Sequence, residues 1–263
     1  MGVDLLPSKV AVVTGVGPGL GRCIALALAE QGAAVVLAAR SADRLASVAD
    51  EIVAAGGRCV AVPADITDPA ACARVAAAAV ETFGGLDVLV NSAFVQPPFR
   101  TIEQSSIESF RSAFEINVFA HVQMTQAALP AMRAGGGGSI VFINTMSTRR
   151  TRKNFGVYTA SKMALLGVAK VLAVELGADR IRVNSVHPGY IWGDSVRTYL
   201  EGLAASKGTT YEEEHEGVAD ETALHHLPRP EEIAQAVVFL ASDRMSAAIT
   251  GESVDVNAGQ WIR

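Results

Sequence analysis

The sequence predicts an α/β fold of the doubly wound kind, with a mostly parallel seven-stranded sheet and helices on both faces. Three observations predict it. Short β-branched runs alternate with Ala-rich helical stretches along the 263 residues, the rhythm of βαβ units. Those runs are almost unbroken in apolar residues instead of alternating, as a sheet covered on both faces requires. Hydrophobic residues make up 50% of the chain and charged ones 19%, enough apolar material for a large core of Ala, Val, Leu and Ile.

Taken in order, the strands fall at residues 10–13, 34–38, 58–62, 86–90, 139–143, 181–185 and 253–256. Each of the first six leads into a stretch of helical composition. The four glycines at 135–138 read as the turn from a long helix into the fifth strand. No Pro/Gly/Ser-rich linker divides the chain and no fixed repeat runs through it, so residues 1–263 are expected to form one domain. One segment breaks the rhythm. Residues 193–229 carry the charged helical turns of YEEEHEG between the sixth strand and a helix opening at Pro230. Ligands bind beyond the carboxyl ends of strands in open α/β sheets, which makes this insertion a candidate lid.

The first strand runs into Thr14-Gly15-Val16-Gly17-Pro18-Gly19-Leu20-Gly21-Arg22 and then a helical run from Cys23 to Glu30. Glycines let backbone approach a pyrophosphate, and the following helix offers free N–H groups and its positive dipole end. The spacing is G-x-x-x-G-x-G rather than G-x-G-x-x-G; a structural turn or a methyl-donor site fits the same residues. The second strand ends Ala38-Ala39-Arg40. An acidic residue there would hold the ribose hydroxyls of NAD, whereas Arg40 suits the 2′-phosphate of NADP; an ordinary helix-flanking cation is the alternative. Asp65, followed by Ile66 after the third strand, is placed to meet an adenine amino group or to cap the helix opening at Pro69.

A net charge of -5 and a pI near 5.6 give no pull toward nucleic acid or anionic membranes. MGVDLLPSKV lacks a basic, then apolar, leader, and no uninterrupted apolar run approaches bilayer length. Cys23, Cys59 and Cys72 form no CxxC pair, which points to reduced thiols, a cytoplasmic protein and no metal site.

Tyr158 and Lys162 stand at i and i+4 in Tyr158-Thr159-Ala160-Ser161-Lys162. On one helix face, an ammonium beside a phenol favours phenolate and draws the tyrosine toward acid–base work near neutral pH. Alone, Y-x-x-x-K is most often a solvated helix face. In company with Thr14–Gly21, Asp65, Asn91-Ser92-Ala93, Asn117, the stretch 138–145, Asn184, Pro188-Gly189, Ile249-Thr250-Gly251 and Asn257-Ala258-Gly259, the chain resembles the short-chain dehydrogenase/reductase family over nearly its whole length.

That resemblance implies a Rossmann fold, NADP or NAD as cofactor, and hydride exchange between an alcohol and a carbonyl. It makes Tyr158 the general acid–base and gives Lys162 two tasks, lowering the phenol's pKa and bonding the nicotinamide ribose. It assigns Asn117 to holding a water that links Lys162 to solvent. Thr145 stands where the family carries a Ser that orients the substrate oxygen, with Ser147 as the other candidate hydroxyl. Cofactor contacts fall on Gly15, Gly17, Gly19, Leu20, Gly21, Arg40, Asp65, Ile66, Asn91, Ala93, Tyr158, Lys162, Pro188, Gly189 and Ile191. Phe94, Met146, Ser147, Tyr190 and Trp192 are expected to line an apolar substrate pocket. Two departures bear on it: Phe94 replaces a usual Gly, and Gly193 replaces a Thr that commonly contacts the nicotinamide amide.

The expected substrate is a hydrophobic secondary alcohol or ketone, with a 3-oxoacyl thioester among the candidates. The basic run Arg149, Arg150, Arg152 and Lys153 reads as a solvated face, a subunit contact or a seat for an anionic tail. A homo-oligomer, tetramer or dimer, is what the family implies. The competing function is a catalytically weak nucleotide-binding sensor or scaffold of the same fold.

Overall fold

The computed structural model describes residues 4–262. The apolar runs pair as β1 (Val10–Thr14), β2 (Ala34–Ala39), β3 (Arg58–Pro63), β4 (Val88–Asn91), β5 (Gly138–Ile143), β6 (Ile181–Pro188) and β7 (Ser253–Val256). All neighbours are parallel, in the order β3-β2-β1-β4-β5-β6-β7. The unbroken hydrophobicity of each run follows from the two faces. In β1, Ala11 and Val13 enter one core, with Ile24, Leu28 and Val237, while Val10 and Val12 enter the other, with Val75, Met124 and Leu165. The order reverses between β1 and β4, so their connections diverge and leave a crevice beyond their carboxyl ends, where such sheets bind ligands.

Helices α1 (Leu20–Glu30), α2 (Ala42–Ala54) and, much later in the chain, Pro230–Ala241 cover the first face; α3 (Pro69–Phe83) covers part of the second. The long helix of the sequence reading is three consecutive pieces: α4 (Ile107–Phe114), a π turn over Glu115–Phe119, and α5 (Ala120–Ala134). Next comes α6 (Gly156–Glu175), which is long and apolar enough by length and composition to cross a membrane. It lies instead against the sheet with Leu165, Leu166, Ala169 and Ala173 buried. The segment 193–229 folds as α7 (Asp194–Lys207) and α8 (Tyr211–Asp220) around a separate small cluster of Leu200, Val218, Ala219 and Leu227. Pro230–Ala241 is then α9, and α10 (Asp243–Ser246) precedes β7.

Two strand boundaries shift by more than one residue from the sequence reading, and one helix cap moves. β4 opens at Val88 rather than at residue 86; Asp87, just before it, bonds through its backbone to Val10 and Ser139, and its carboxylate accepts from Val10 N–H at 2.8 Å and from Lys9 Nζ at 3.3 Å. β6 runs on to Pro188 because β7 pairs with it through Pro188↔Val256. The cap of α3 is Asp68, which accepts from Ala70 N–H with Pro69 in the first turn, so the capping role offered to Asp65 falls to its neighbour. The three cysteines are unpaired.

Candidate active site

At the carboxyl end of β1 the chain turns through Gly15 with φ +71°, the left-handed region that glycine tolerates. A Cβ there would sit 2.5 Å from the Cα of Ala93, on the loop after β4. Gly21 is equally tight, since its Cβ would lie 2.3 Å from the Gly15 carbonyl oxygen. Gly19, by contrast, meets nothing within 4 Å and faces open space at the start of α1, which no side chain caps. The turn is therefore closed behind and bare in front, with first-turn N–H groups aimed outward. Arg22, next along, is tied back to Glu51 of α2 at 2.8 Å.

A cavity of about 800 Å³ opens from this turn, and Gly15, Gly17, Gly19, Leu20 and Gly21 form its near wall. Ile143 and Thr145 at the end of β5, Tyr158 and Lys162 of α6, and Pro188, Gly189 and Ile191 at the end of β6 line it further. Met146, Ser147, Phe94, Tyr190 and Trp192 line the same space. Asn91, Ala93 and Asn117 stand behind its wall. The Asn91 amide donates to Thr125 Oγ1 at 3.1 Å, turned into the protein, which leaves only the backbone at this position for a ligand. A second cavity, about 390 Å³, lies past β2 and β3 with Arg40, Asp65 and also Arg74 on its walls; Ile66 is buried beneath. Asp65 accepts from Thr67 N–H at 3.0 Å and Thr67 Oγ1 at 2.8 Å, and these bonds hold its carboxyl below the usual range.

The reacting groups meet where β5 ends. Thr145 caps a short 3-10 turn over Met146–Thr148, accepting from Ser147 N–H at 3.2 Å. Its hydroxyl donates to Ser147 Oγ at 3.4 Å and lies near enough to the Tyr158 phenol to pull that group's pKa down. Lys162 is 2% exposed and donates to the Ile143 carbonyl at 2.9 Å. Burial pushes that amine down to about 7. Burial also pushes the Tyr158 phenol up to about 12, with the Thr145 hydroxyl pulling the other way. The sequence reading has the ammonium lowering the phenol's pKa; in the structure desolvation dominates and Lys162 is turned toward Ile143. A phenol held protonated is poised as a proton donor.

Asn117 sits in the π turn, 0% exposed. Its Oδ1 accepts from Val95 N–H at 2.8 Å, and its Nδ2 donates to the Val95 carbonyl at 3.0 Å and to Ser161 Oγ at 3.1 Å. With its side chain so engaged, any link from Asn117 to Lys162 has to run through backbone that the π turn loosens. Sequence reasoning missed His121. It is fully buried and lies 2.8 Å through Nε2 from the Ala93 carbonyl. Because that oxygen only accepts, Nε2 carries the proton, and burial with the Lys162 charge nearby pushes the ring down to about 3, keeping it neutral. A His four residues after Asn117, inside the apolar NVFAHVQM, was the available signal.

The basic run is not a bare cationic face. Arg150 and Arg152 both donate to Glu221 beyond α8, at 2.9 and 3.1 Å, and Arg149 pairs with Asp255 at 3.5 Å. Arg152 also bonds the Tyr190 hydroxyl. The anion seat suggested for Arg150 is thus already filled by a carboxylate of the chain itself.

A family model described as enoyl-(acyl carrier protein) reductase matches residues 15–260. An uncharacterized oxidoreductase of Methylorubrum extorquens is 40% identical over 255 residues, 97% of this chain and 98% of its own. Two solved structures align over nearly everything. One is L-sorbose reductase from Gluconobacter frateurii complexed with NADPH and L-sorbose, with TM-score 0.91, 33% identity and 98% of both chains covered. The other is a 7α-hydroxysteroid dehydrogenase complexed with NADH and 7-oxo glycochenodeoxycholic acid, with TM-score 0.88, 32% identity, and 98% of this chain and 97% of that one covered.

Proposed function

The chain belongs to the short-chain dehydrogenase/reductase family, and from that premise we propose that it is an oxidoreductase moving hydride between NADP or NAD and a hydrophobic secondary alcohol or ketone. One observation carries the reading: a glycine turn bare on its ligand side and a Thr145–Tyr158 hydroxyl pair backed by buried Lys162 share one cavity. The turn fits a dinucleotide because the Cβ positions of Gly15 and Gly21 are filled by backbone while Gly19 is open. Bound there, the cofactor supplies or accepts the hydride.

The chain's own groups do the rest. Thr145 and Tyr158 hold the carbonyl oxygen, stabilising charge where it develops. The protonated phenol passes its proton to the alkoxide oxygen as the C–H bond forms, and Lys162, ionising near neutrality, restores it. Arg40 and Arg74, on the walls of the second cavity, support NADP over NAD, since paired guanidiniums suit a phosphate. Residues 193–229 serve as the lid of a single domain, with Val196 and Tyr199, and Trp192 just before them, lining the cavity. Met163, Val171 and Val174 of α6 and Phe119 leave an exposed apolar face suited to a second copy of the chain, and the unpaired cysteines suit a reducing cytoplasm.

The test follows nicotinamide fluorescence during titration with NADPH and NADH, then cofactor consumption across a panel of ketones for wild type and Tyr158→Phe. Turnover is expected to fall by roughly 10² to 10⁴ in the variant with cofactor affinity unchanged. Equal turnover would overturn the assignment; binding without turnover in wild type would favour a sensor.

A further inference from the structure

Single exposed hydrophobic residues carry no message on most surfaces, so the position of Phe94 matters more than its exposure. Its backbone is held on both sides by side chains that are themselves 0% exposed. His121 Nε2 bonds the carbonyl of Ala93 at 2.8 Å, and Asn117 takes both the N–H and the carbonyl of Val95, at 2.8 and 3.0 Å. Asn117 and His121 lie one helical turn apart on the same helix face, so together they clamp the residues flanking Phe94. On that fixed backbone the Phe94 ring remains 61% exposed, and it lines the cavity that holds Tyr158.

Phe94 has company. Phe99 is 47% exposed, and its ring lies 4.8 Å from Phe155 and 5.8 Å from Tyr199 of α7. Tyr199 in turn stacks on Tyr190 at 6.2 Å. The chain has nine Phe, four Tyr and two Trp; three Phe, three Tyr and one Trp line this one cavity. Buried polar clamps spent on presenting an apolar ring to solvent make sense when a ligand covers the ring, since a pre-positioned contact loses little entropy on binding.

We infer that Phe94 is the specificity-determining residue of the site: with Phe99 and Tyr199 it forms an aromatic slot that takes the ring of an aryl or alicyclic ketone and discriminates against short open-chain ones. The inference rests on the oxidoreductase reading for its reaction, but not for its binding contact.

The experiment compares acetophenone with 2-butanone in wild type, Phe94→Gly and Phe94→Leu, reading NADPH consumption and, separately, acetophenone affinity by quenching of tryptophan fluorescence. Wild type is expected to prefer acetophenone. Phe94→Gly should cut the ratio of kcat/KM values by about thirtyfold through KM, the order expected for uncovering one aromatic side chain, and Phe94→Leu by about fivefold, the apolar replacement keeping part of the contact. A ratio that stays put in both variants overturns the inference, as does an equal fall for the two ketones. If wild type turns over neither ketone, the oxidoreductase reading fails and the affinities decide: about thirtyfold weaker binding of acetophenone to Phe94→Gly supports the slot, and unchanged affinity sinks it.

Discussion

Lys162→Met separates what the buried amine does for catalysis from what it does to the fold. Lys162 is 2% exposed, so solvent screens it little, and its pKa is pushed from 10.5 down to about 7 by burial. A folded-state pKa below the unfolded one means that between those two values the unfolded chain binds the extra proton, and stability rises with pH there. Below about pH 7 the whole penalty is present, about 5 kcal/mol at 1.36 kcal/mol per pH unit; it fades as pH climbs toward 10.5. From pH 7 to pH 9 the same relation returns about 2 kcal/mol. Methionine fills similar volume without a charge and forfeits the bond to Ile143, worth about 1 kcal/mol. At pH 7 the amine is half-protonated and about 4 kcal/mol of that penalty remains, so after the lost bond the ligand-free variant should be inactive yet more stable than wild type by about 3 kcal/mol, with the gap narrowing by about 2 kcal/mol at pH 9. Urea denaturation of both proteins at the two pH values measures this, the variant cancelling every other titration. A gap that does not change with pH would mean that Lys162 keeps its proton in the fold, and the desolvation argument would be wrong.

Gly15→Ala places a methyl 2.5 Å from the Ala93 Cα at φ +71°, so the turn must open; left-handed backbone alone costs about 1–2 kcal/mol. NADPH affinity, read by fluorescence titration, should drop at least about tenfold; unchanged affinity would show that the turn does not hold the dinucleotide. Arg40→Ala should weaken NADPH about tenfold or more and leave NADH within about twofold, with Arg74→Ala acting in the same direction; equal losses for both cofactors would return Arg40 to the surface.

The fold was legible because each strand's hydrophobicity is set by two cores that different helices complete, so the pattern survives in single residues such as Val12 and Val13. Strand ends were less so. Asp87, just before β4, is tied to β1 through Val10, and β6 is prolonged by β7, some 70 residues away; neither partner is visible from local composition. The spacing of Tyr158 and Lys162 announced a shared helix face, but the direction of their pKa shifts depends on desolvation, which only the packed site defines.

The same limit hides the hydrogen-bond partners of Asn117 and His121. A sequence shows that two polar residues recur one turn apart, but not which neighbour their shared face meets. In the fold that face meets the loop after β4, and the carbonyl of Ala93 and both backbone groups of Val95 are polar atoms in a dry interior that need partners. Meeting that need fixes the loop, and with it the ring of Phe94 and the backbone that blocks a Cβ at Gly15. One pair of buried side chains thus sets both the floor of the glycine turn and the wall of the substrate cavity. Damage to either clamp should consequently disturb cofactor affinity and ketone preference together, whereas damage at Tyr158 should disturb neither and remove only the proton transfer.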